Sequence, residues 1–328
     1  MFRMNLKTMI ASALLMASPG LSEELRLADF QPPTHFIVDA AYGPFAEAIS
    51  AGTGGDVTVS VFMGGELGPG PAEQYNRAVD GVVDLAFGLP GYTASTFPKT
   101  LLAELPGVIS PDTGTARMMA NWDMLADEYR RVALVGLWNN APNLILMAEQ
   151  PVRAFEDLAG LKIRVPSRNA GLVVEAWGAT PVSMPAPAIY NAMQTGVIDG
   201  AMIDATTLRA FRLTEVTQYI TMGMDTTITQ FFMIMNRDSF DGLRADQQNV
   251  VLKAGREAST SANAAWLAVA ESALSAFAET DGKEVIELSA DEAAKFNAAT
   301  GPVVEAVLSE ADGAGLEASA YVAALRGE

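Results

Sequence analysis

The stretch Leu161–Asp204, LKIRVPSRNAGLVVEAWGATPVSMPAPAIYNAMQTGVIDGAMID, switches between strand-type and helix-type patterning several times. Leu161, Ile163 and Val165 share one face of an apolar β-type run, and Arg164 shares the other with Lys162. A helical pattern follows over Ala170–Trp177, a strand over Pro181–Met184, a helix over Ala186–Thr195 and a strand over Asp199–Asp204. Strand and helix in strict succession predict a parallel sheet with helices on its faces, the α/β class. In such sheets ligands sit outside the carboxyl ends of the strands. Arg164 stands near one of those ends.

The same alternation extends outward. Upstream, Phe155–Val165 (FEDLAGLKIRV) leads into the segment, after strand patterns at Val132–Trp138 and Leu144–Ala148. Earlier still, a strand at Leu25–Ala28 and a helical pattern at His35–Ser50 precede Asp56–Met63 (DVTVSVFM), which alternates strictly. Ala72–Gly81 reads as helix and Asp84–Phe87 as a short strand. Downstream, Thr226–Met235 reads as a long buried strand. Asp246–Thr280 is an Ala-rich helical pattern of roughly 50 Å at 1.5 Å per residue. A helix of that length crosses from one domain to another. A strand at Val285–Leu288 and helices from Asp291 and Leu316 complete the chain. No Gly/Ser linker interrupts it, so two domains share several crossovers. The expected division is residues 23–146 plus about 235–274 for the first and 147–234 plus about 275–328 for the second.

Composition narrows the function. The chain has 328 residues, 21 Lys+Arg against 39 Asp+Glu, one His and no Cys. A net charge of −18 argues against nucleic acid and against anionic lipid, both of which select basic surfaces. The missing cysteines remove thiol catalysis, disulfides and Cys-based metal sites, and a single histidine nearly removes multi-His sites. Hydrophobic residues make up 50% of the chain, which excludes disorder.

Met1–Ser22 (MFRMNLKTMIASALLMASPGLS) has the order of a secretory signal: basic Arg3 and Lys7, a short apolar run Thr8–Ala17, then small residues. Cleavage is expected near Ser22. Loss of two bases and no acid takes the net charge from −18 to −20. No later stretch is apolar for long enough to span a bilayer, and the richest, Ile228–Met235, is interrupted by Thr229 and Gln230. The expectation is an exported protein whose mature chain does not insert in the membrane.

Catalytic motifs are scarce. There is no G-x-S-x-G elbow, no G-x-G-x-x-G opening a helix after a strand and no G-x-x-x-x-G-K-[ST] loop. The methionines are scattered through apolar runs and read as core filling rather than copper ligands. No enzyme, cofactor or metal site is expected. Arg164 is the exception to this plainness. On spacing alone it is either an edge-strand surface residue or a cleft residue able to hold a carboxylate with two parallel N–H···O bonds.

The segments FEDLAGLKIRVPS (155–167), WGATPVSMPAPAIYNAMQTGVIDG (177–200) and FMGGELG (62–68) resemble the solute-binding proteins of TRAP transporters, the DctP type. THFIVDAAYGPFAEAI (34–49), AVDGVVDLAF (78–87) and the long helix after Asp238 fit the same pattern, so the resemblance covers nearly the whole mature chain. It implies a periplasmic-binding-protein-like fold: two α/β domains with a cleft between them and a long helix spanning both. It also implies closure on a small organic acid and delivery to membrane subunits driven by a sodium or proton gradient, with Arg164 clamping the ligand carboxylate. A protein serving a sensor and an exported hydrolase or isomerase are the alternatives.

The sequence departs from better-known members of the family. A second Arg expected about twenty residues before Arg164 is absent at Asn143-Leu144. Leu89 and Tyr92 stand where sugar-acid binders carry charge, Ile203 replaces an Asn, and Ala186 replaces an aromatic. A second buried carboxylate would find no cation and would cost several kcal/mol, so a dicarboxylate is disfavoured. The remaining candidates, Tyr92, Asn143 and Ser167 as polar groups and Phe30, Trp138, Leu89 and Phe231 as walls, suit a monocarboxylate with an apolar or aromatic body, including 2-oxo and 2-hydroxy acids. Each aromatic fits core packing equally well. Asp204 either accepts from the ligand or caps a helix before Ala205. Gln31 and His35 flank the end of the first strand, and His35 equally suits a helix cap.

Overall fold

The computed structural model describes residues 22–328, so nearly all of the expected leader Met1–Ser22 lies outside the described residues. Among the described residues, eleven strands form two sheets. The first contains β1 (Glu23–Ala28), β2 (Val57–Phe62), β3 (Leu85–Gly88), β4 (Val132–Asn139) and β10 (Gln230–Asn236), in the order β2-β1-β3-β10-β4. The second contains β5 (Leu144–Met147), β6 (Lys162–Val165), β7 (Thr180–Ser183), β8 (Gly200–Ile203), β9 (Tyr219–Met222) and β11 (Glu284–Glu287), in the order β11-β9-β5-β8-β6-β7.

The strands joined by helical crossovers are parallel, as the alternation requires: β1 with β2 and β3, and β6 with β7 and β8. The sheets are nevertheless mixed, which corrects the all-parallel expectation. β10 runs antiparallel to β3 and β4, and β5 antiparallel to β8 and β9. The reason lies in two links, 140–143 and 223–229, by which the chain leaves one sheet and enters the other without a crossover helix. The second link takes Thr226–Thr229 out of the strand expected to begin at Thr226. β-branched threonines look like strand in sequence but here bridge the two sheets.

β10 is buried along its whole length because both faces of its sheet are covered. Phe231, Met233 and Met235 join a cluster with Phe87, Trp138 and Trp266, while Phe232 and Ile234 point to the opposite core with Phe97 and Leu137. The helix Ala245–Ala278 starts on the first sheet through Val251, Ala258 and Trp266 and ends on the second through Ala270 and Phe277. Its close approach to β4 requires a small residue at Gly255, where a Cβ would lie 2.1 Å from the Val135 carbonyl. Ser259 seals the contact: its hydroxyl accepts from the Leu137 amide at 3.1 Å and donates to the Gly255 carbonyl at 2.8 Å.

The tail serves both halves. In the helix Ala290–Gly313, Phe296 packs edge-on to Trp177 in the second half, 5.2 Å between ring centroids. Val307, Ala311 and the helix Ala318–Arg326 join the core of the first half beside Leu102 and Tyr129. Assigning all of 275–328 to the second domain therefore describes only the first part of that tail.

Candidate ligand-binding cleft

The two links and the ends of β1, β3, β6 and β8 converge on a cleft between the two halves. Phe30, Gln31, His35, Leu89, Tyr92 and Phe231 line it from the first half. Arg164, Pro166, Ala186, Ile203, Asp204 and Phe211 line it from the second, and Asn140, Thr206, Thr207 and Thr229 add polar groups beside the links.

Arg164 sits on β6, where strand alternation would send its side chain away from Ile163 and Val165. It is nonetheless 1% exposed. Its Nε donates to the Met184 carbonyl at 2.9 Å, while Nη1 to the Met202 carbonyl and Nη2 to the Tyr92 hydroxyl are both long, at 3.4 Å. It forms no ion pair among the described residues. Burial lowers its pKa, and Tyr92, Glu104 and Asp204 oppose that shift. An arginine stays charged even so. The outcome is a buried cation at the cleft wall with donor capacity to spare.

Tyr92 couples the two walls. Its oxygen accepts from the Ala186 amide at 2.9 Å as well as from Arg164, which leaves its own proton free to donate. Its neighbours Phe30, 6.2 Å away, and Phe87, 5.6 Å from Phe30, continue into a wall backed by Phe231 stacked on Trp266 at 4.4 Å.

Asp204 faces the cleft but is already satisfied. It accepts from the Thr206 amide at 2.9 Å and hydroxyl at 2.5 Å, and from Asn140 Nδ2 at 2.9 Å. Burial raises its pKa against those hydrogen bonds. It tethers the first link to the second half rather than offering a free acceptor. Gln31 is fixed by the buried Asp29, which accepts from its amide at 2.8 Å and from its Nε2 at 3.1 Å. Asp29 also accepts from the Tyr42 hydroxyl at 2.7 Å, and burial pushes its carboxyl up to about 6. Burial takes His35 down to about 3, and its Nδ1 accepts from the Ile37 amide at 3.2 Å, so the ring is neutral with its proton on Nε2. His35 lines the cleft but does not cap the helix that follows, Val38–Tyr42, whose N-cap is Ile37 with no side-chain cap bond.

Three sequence candidates do not line the cleft. Asn143 donates to the Thr227 and Thr229 hydroxyls at 2.8 and 3.1 Å and accepts from Asn140, pinning the two links together. Trp138 is sealed behind the wall, 5.7 Å from Phe87 and 6.0 Å from Phe231. Ser167 caps the helix Arg168–Ala176, accepting from the Ala170 amide at 3.0 Å, and its hydroxyl donates across the domain boundary to the buried Glu104 at 2.5 Å. Burial raises Glu104 to about 7 despite that bond and the nearby Arg164. Sequence reasoning missed Asn140, Phe211 and the threonines. An aromatic between Arg209 and Arg212 is the signal that marks Phe211.

A cleft between two α/β halves, with one underpaired arginine on one wall and aromatic rings on the other, defines a two-lobed solute-binding protein. Residues 27–311 match the model of the bacterial extracellular solute-binding protein family 7, DctP, and the chain belongs to that family of TRAP solute-binding proteins. A TRAP solute-binding protein of a marine metagenome, specific for aromatic acid ligands and bound to metahydroxyphenylacetate, superposes with a TM-score of 0.86 at 26% identity. The match covers 93% of this chain and 98% of that one. A Bordetella bronchiseptica protein with bound mandelate superposes with a TM-score of 0.83 at 29% identity, over 93% and 98% of the two chains. The ectoine/5-hydroxyectoine-binding periplasmic protein UehA of Ruegeria pomeroyi is 30% identical over 219 residues, 64% of this chain and 63% of that protein. The matches to curated relatives span between 37% and 78% of those proteins' lengths. No helix among the described residues is long and apolar enough to cross a membrane.

Proposed function

We propose that this TRAP solute-binding protein works in the periplasm, binds a small monocarboxylate with an aromatic or otherwise apolar body and hands it unchanged to the transporter's membrane subunits. The observation that carries the reading is Arg164, a buried cation with no ion-pair partner among the described residues and with spare donors at the cleft wall. A ligand carboxylate would accept from Nη1 and Nη2 and from the Tyr92 hydroxyl. Those charge-assisted bonds are stronger than ordinary ones, and more so away from water.

The body of the ligand would lie against Phe30, Phe231 and Phe211, whose rings offer offset or edge-on contacts to another ring. A second carboxylate has no cation to meet, because Asp204 is the other charged side chain lining the cleft and is negative. The matched aromatic-acid and mandelate proteins support the aromatic monocarboxylate class. UehA supports the wider statement that one carboxylate with a compact body fits the family.

Thermal denaturation with benzoate, mandelate, 3-methyl-2-oxobutanoate, succinate, glucuronate and ectoine tests the reading. An aromatic monocarboxylate should raise the melting temperature by mass action, and succinate should not. A larger shift with succinate or glucuronate would overturn it. Recovery of the bound acid unaltered by mass spectrometry after long incubation is the expected result against a hydrolase or isomerase.

A further inference from the structure

We infer that Gln31 and His35 form a donor–acceptor pair that reads a hydroxyl group on the bound acid, which narrows the ligand to a hydroxy-monocarboxylate. This rests on the monocarboxylate reading above.

The pair is set by the protein before any ligand arrives. Asp29 is fully buried and takes three hydrogen bonds, from the Gln31 amide at 2.8 Å, from Tyr42 at 2.7 Å and from Gln31 Nε2 at 3.1 Å. A carboxylate accepts and does not donate. The amide nitrogen of Gln31 must therefore face Asp29, and its Oε1 faces the other way. His35 is fixed as firmly. The Ile37 amide donates to its Nδ1 at 3.2 Å, so the ring proton is on Nε2. Phe36 stacks on the imidazole at 4.3 Å and Trp266 packs at 5.3 Å.

Among the described residues, no donor meets Gln31 Oε1 and no acceptor meets His35 Nε2. Neither atom belongs to the sealed-in orphan atoms of the core, and both residues line the cleft. The first-half wall thus presents one free acceptor and one free donor.

A hydroxyl seated between the two would satisfy both at once, donating to Gln31 Oε1 and accepting from His35 Nε2–H. A keto oxygen would satisfy only His35. An ammonium would set donor against donor at His35, and a C–H would leave both groups unpaired in a partly dry site. Sites built to bond a hydroxyl discriminate strongly against analogues lacking it, because their own polar groups are then stranded.

Calorimetric titration of the full mature chain with paired acids tests the assignment: benzoate against 3-hydroxybenzoate, and phenylacetate against mandelate and phenylglyoxylate. The ring-hydroxyl arm and the 2-hydroxyl arm together report where on the ligand the hydroxyl is read. In at least one arm the hydroxy acid should bind about tenfold tighter than its unsubstituted or oxo partner. That ratio should collapse towards unity in Gln31→Leu and in His35→Phe. Equal affinities within every pair, or a ratio unchanged in both variants, would overturn the assignment while leaving the monocarboxylate reading intact. If no aromatic monocarboxylate binds, that reading falls and this one with it. The wild-type ratios decide the matter even where a variant fails to fold, which its melting curve reveals.

Discussion

Arg164 and Asp204 lie on the same wall of the cleft, both nearly inaccessible, yet their surroundings are opposite. Asp204 has its acceptors matched by Thr206 and Asn140, and its bonds run to the link between the sheets. Arg164 has one short hydrogen bond and two at 3.4 Å, with donors left over. A buried charge that is fully bonded holds a structure together, whereas one left underpaired favours an incoming counter-charge. The Asp204 end of the cleft has its hydrogen bonds met within the protein. The Arg164 end keeps donors to spare, which the proposed carboxylate would take.

The largest test of this contrast removes the cation. Arg164→Met should weaken binding of the preferred acid by about 100-fold or more, since two or more charge-assisted bonds go. In the absence of ligand the same change should leave the melting temperature unchanged or raise it, because an incompletely paired buried charge is replaced by an apolar chain. Asp204→Ala should do the reverse. It strands the Asn140 and Thr206 donors and should cost about 3 kcal/mol in urea unfolding. If Arg164→Met were as destabilising without ligand as Asp204→Ala, the two charges would be playing the same structural role and the contrast would be broken.

The contrast also separates what could be read in the sequence from what could not. Leu161–Asp204 announces its strands and helices because regular elements leave a period, whereas the place of Arg164 near the end of β6 leaves it either an edge residue or a cleft residue, and only the family resemblance chooses between them. Between β3 and β4, by contrast, the chain folds through short turns such as Pro90–Thr93 and Thr100–Glu104 and the short helix Gly114–Ala120. These are too short to impose a period, so Glu104 went unnoticed. Asn140 and Asn143 are equivalent in sequence. Only the path of the link decides that Asn140 lines the cleft while Asn143 turns to the threonines of the other link. Trp138 is directly paired with Phe231 across β4 and β10, but pairing does not say which of two adjacent rings meets the cleft.

Glu104 sharpens the contrast through pH. Its bond to Ser167 crosses from one half to the other, and its pKa is raised from 4.5 to about 7. The folded form then holds a proton that the unfolded chain releases, so this group makes stability fall as pH rises from about 4.5 to about 7. Asp29, raised from 3.8 to about 6, adds the same sign over a lower window. Glu104→Gln should flatten the upper part of that decline by on the order of 2 kcal/mol, read as the difference in unfolding free energy between the two ends of the window. A decline as steep in the variant as in the wild type would show that the Glu104 carboxyl is not what titrates there.

The smallest effect belongs to Asn143, and it tests the boundary between link and site. Its side chain ties Thr227 and Thr229 to the first link and is 1% exposed. Asn143→Ala should therefore cost roughly 1 kcal/mol of stability for each hydroxyl left without its donor, softened where the threonines re-pair with each other or with water. Affinity for the acid should change by less than about fivefold, because the residue reaches the ligand only through the geometry of closure. The split matters more than either number. A large loss of affinity with little loss of stability would move Asn143 from the link into the site, and the separation drawn between Asp204 and Arg164 would have to be redrawn around it.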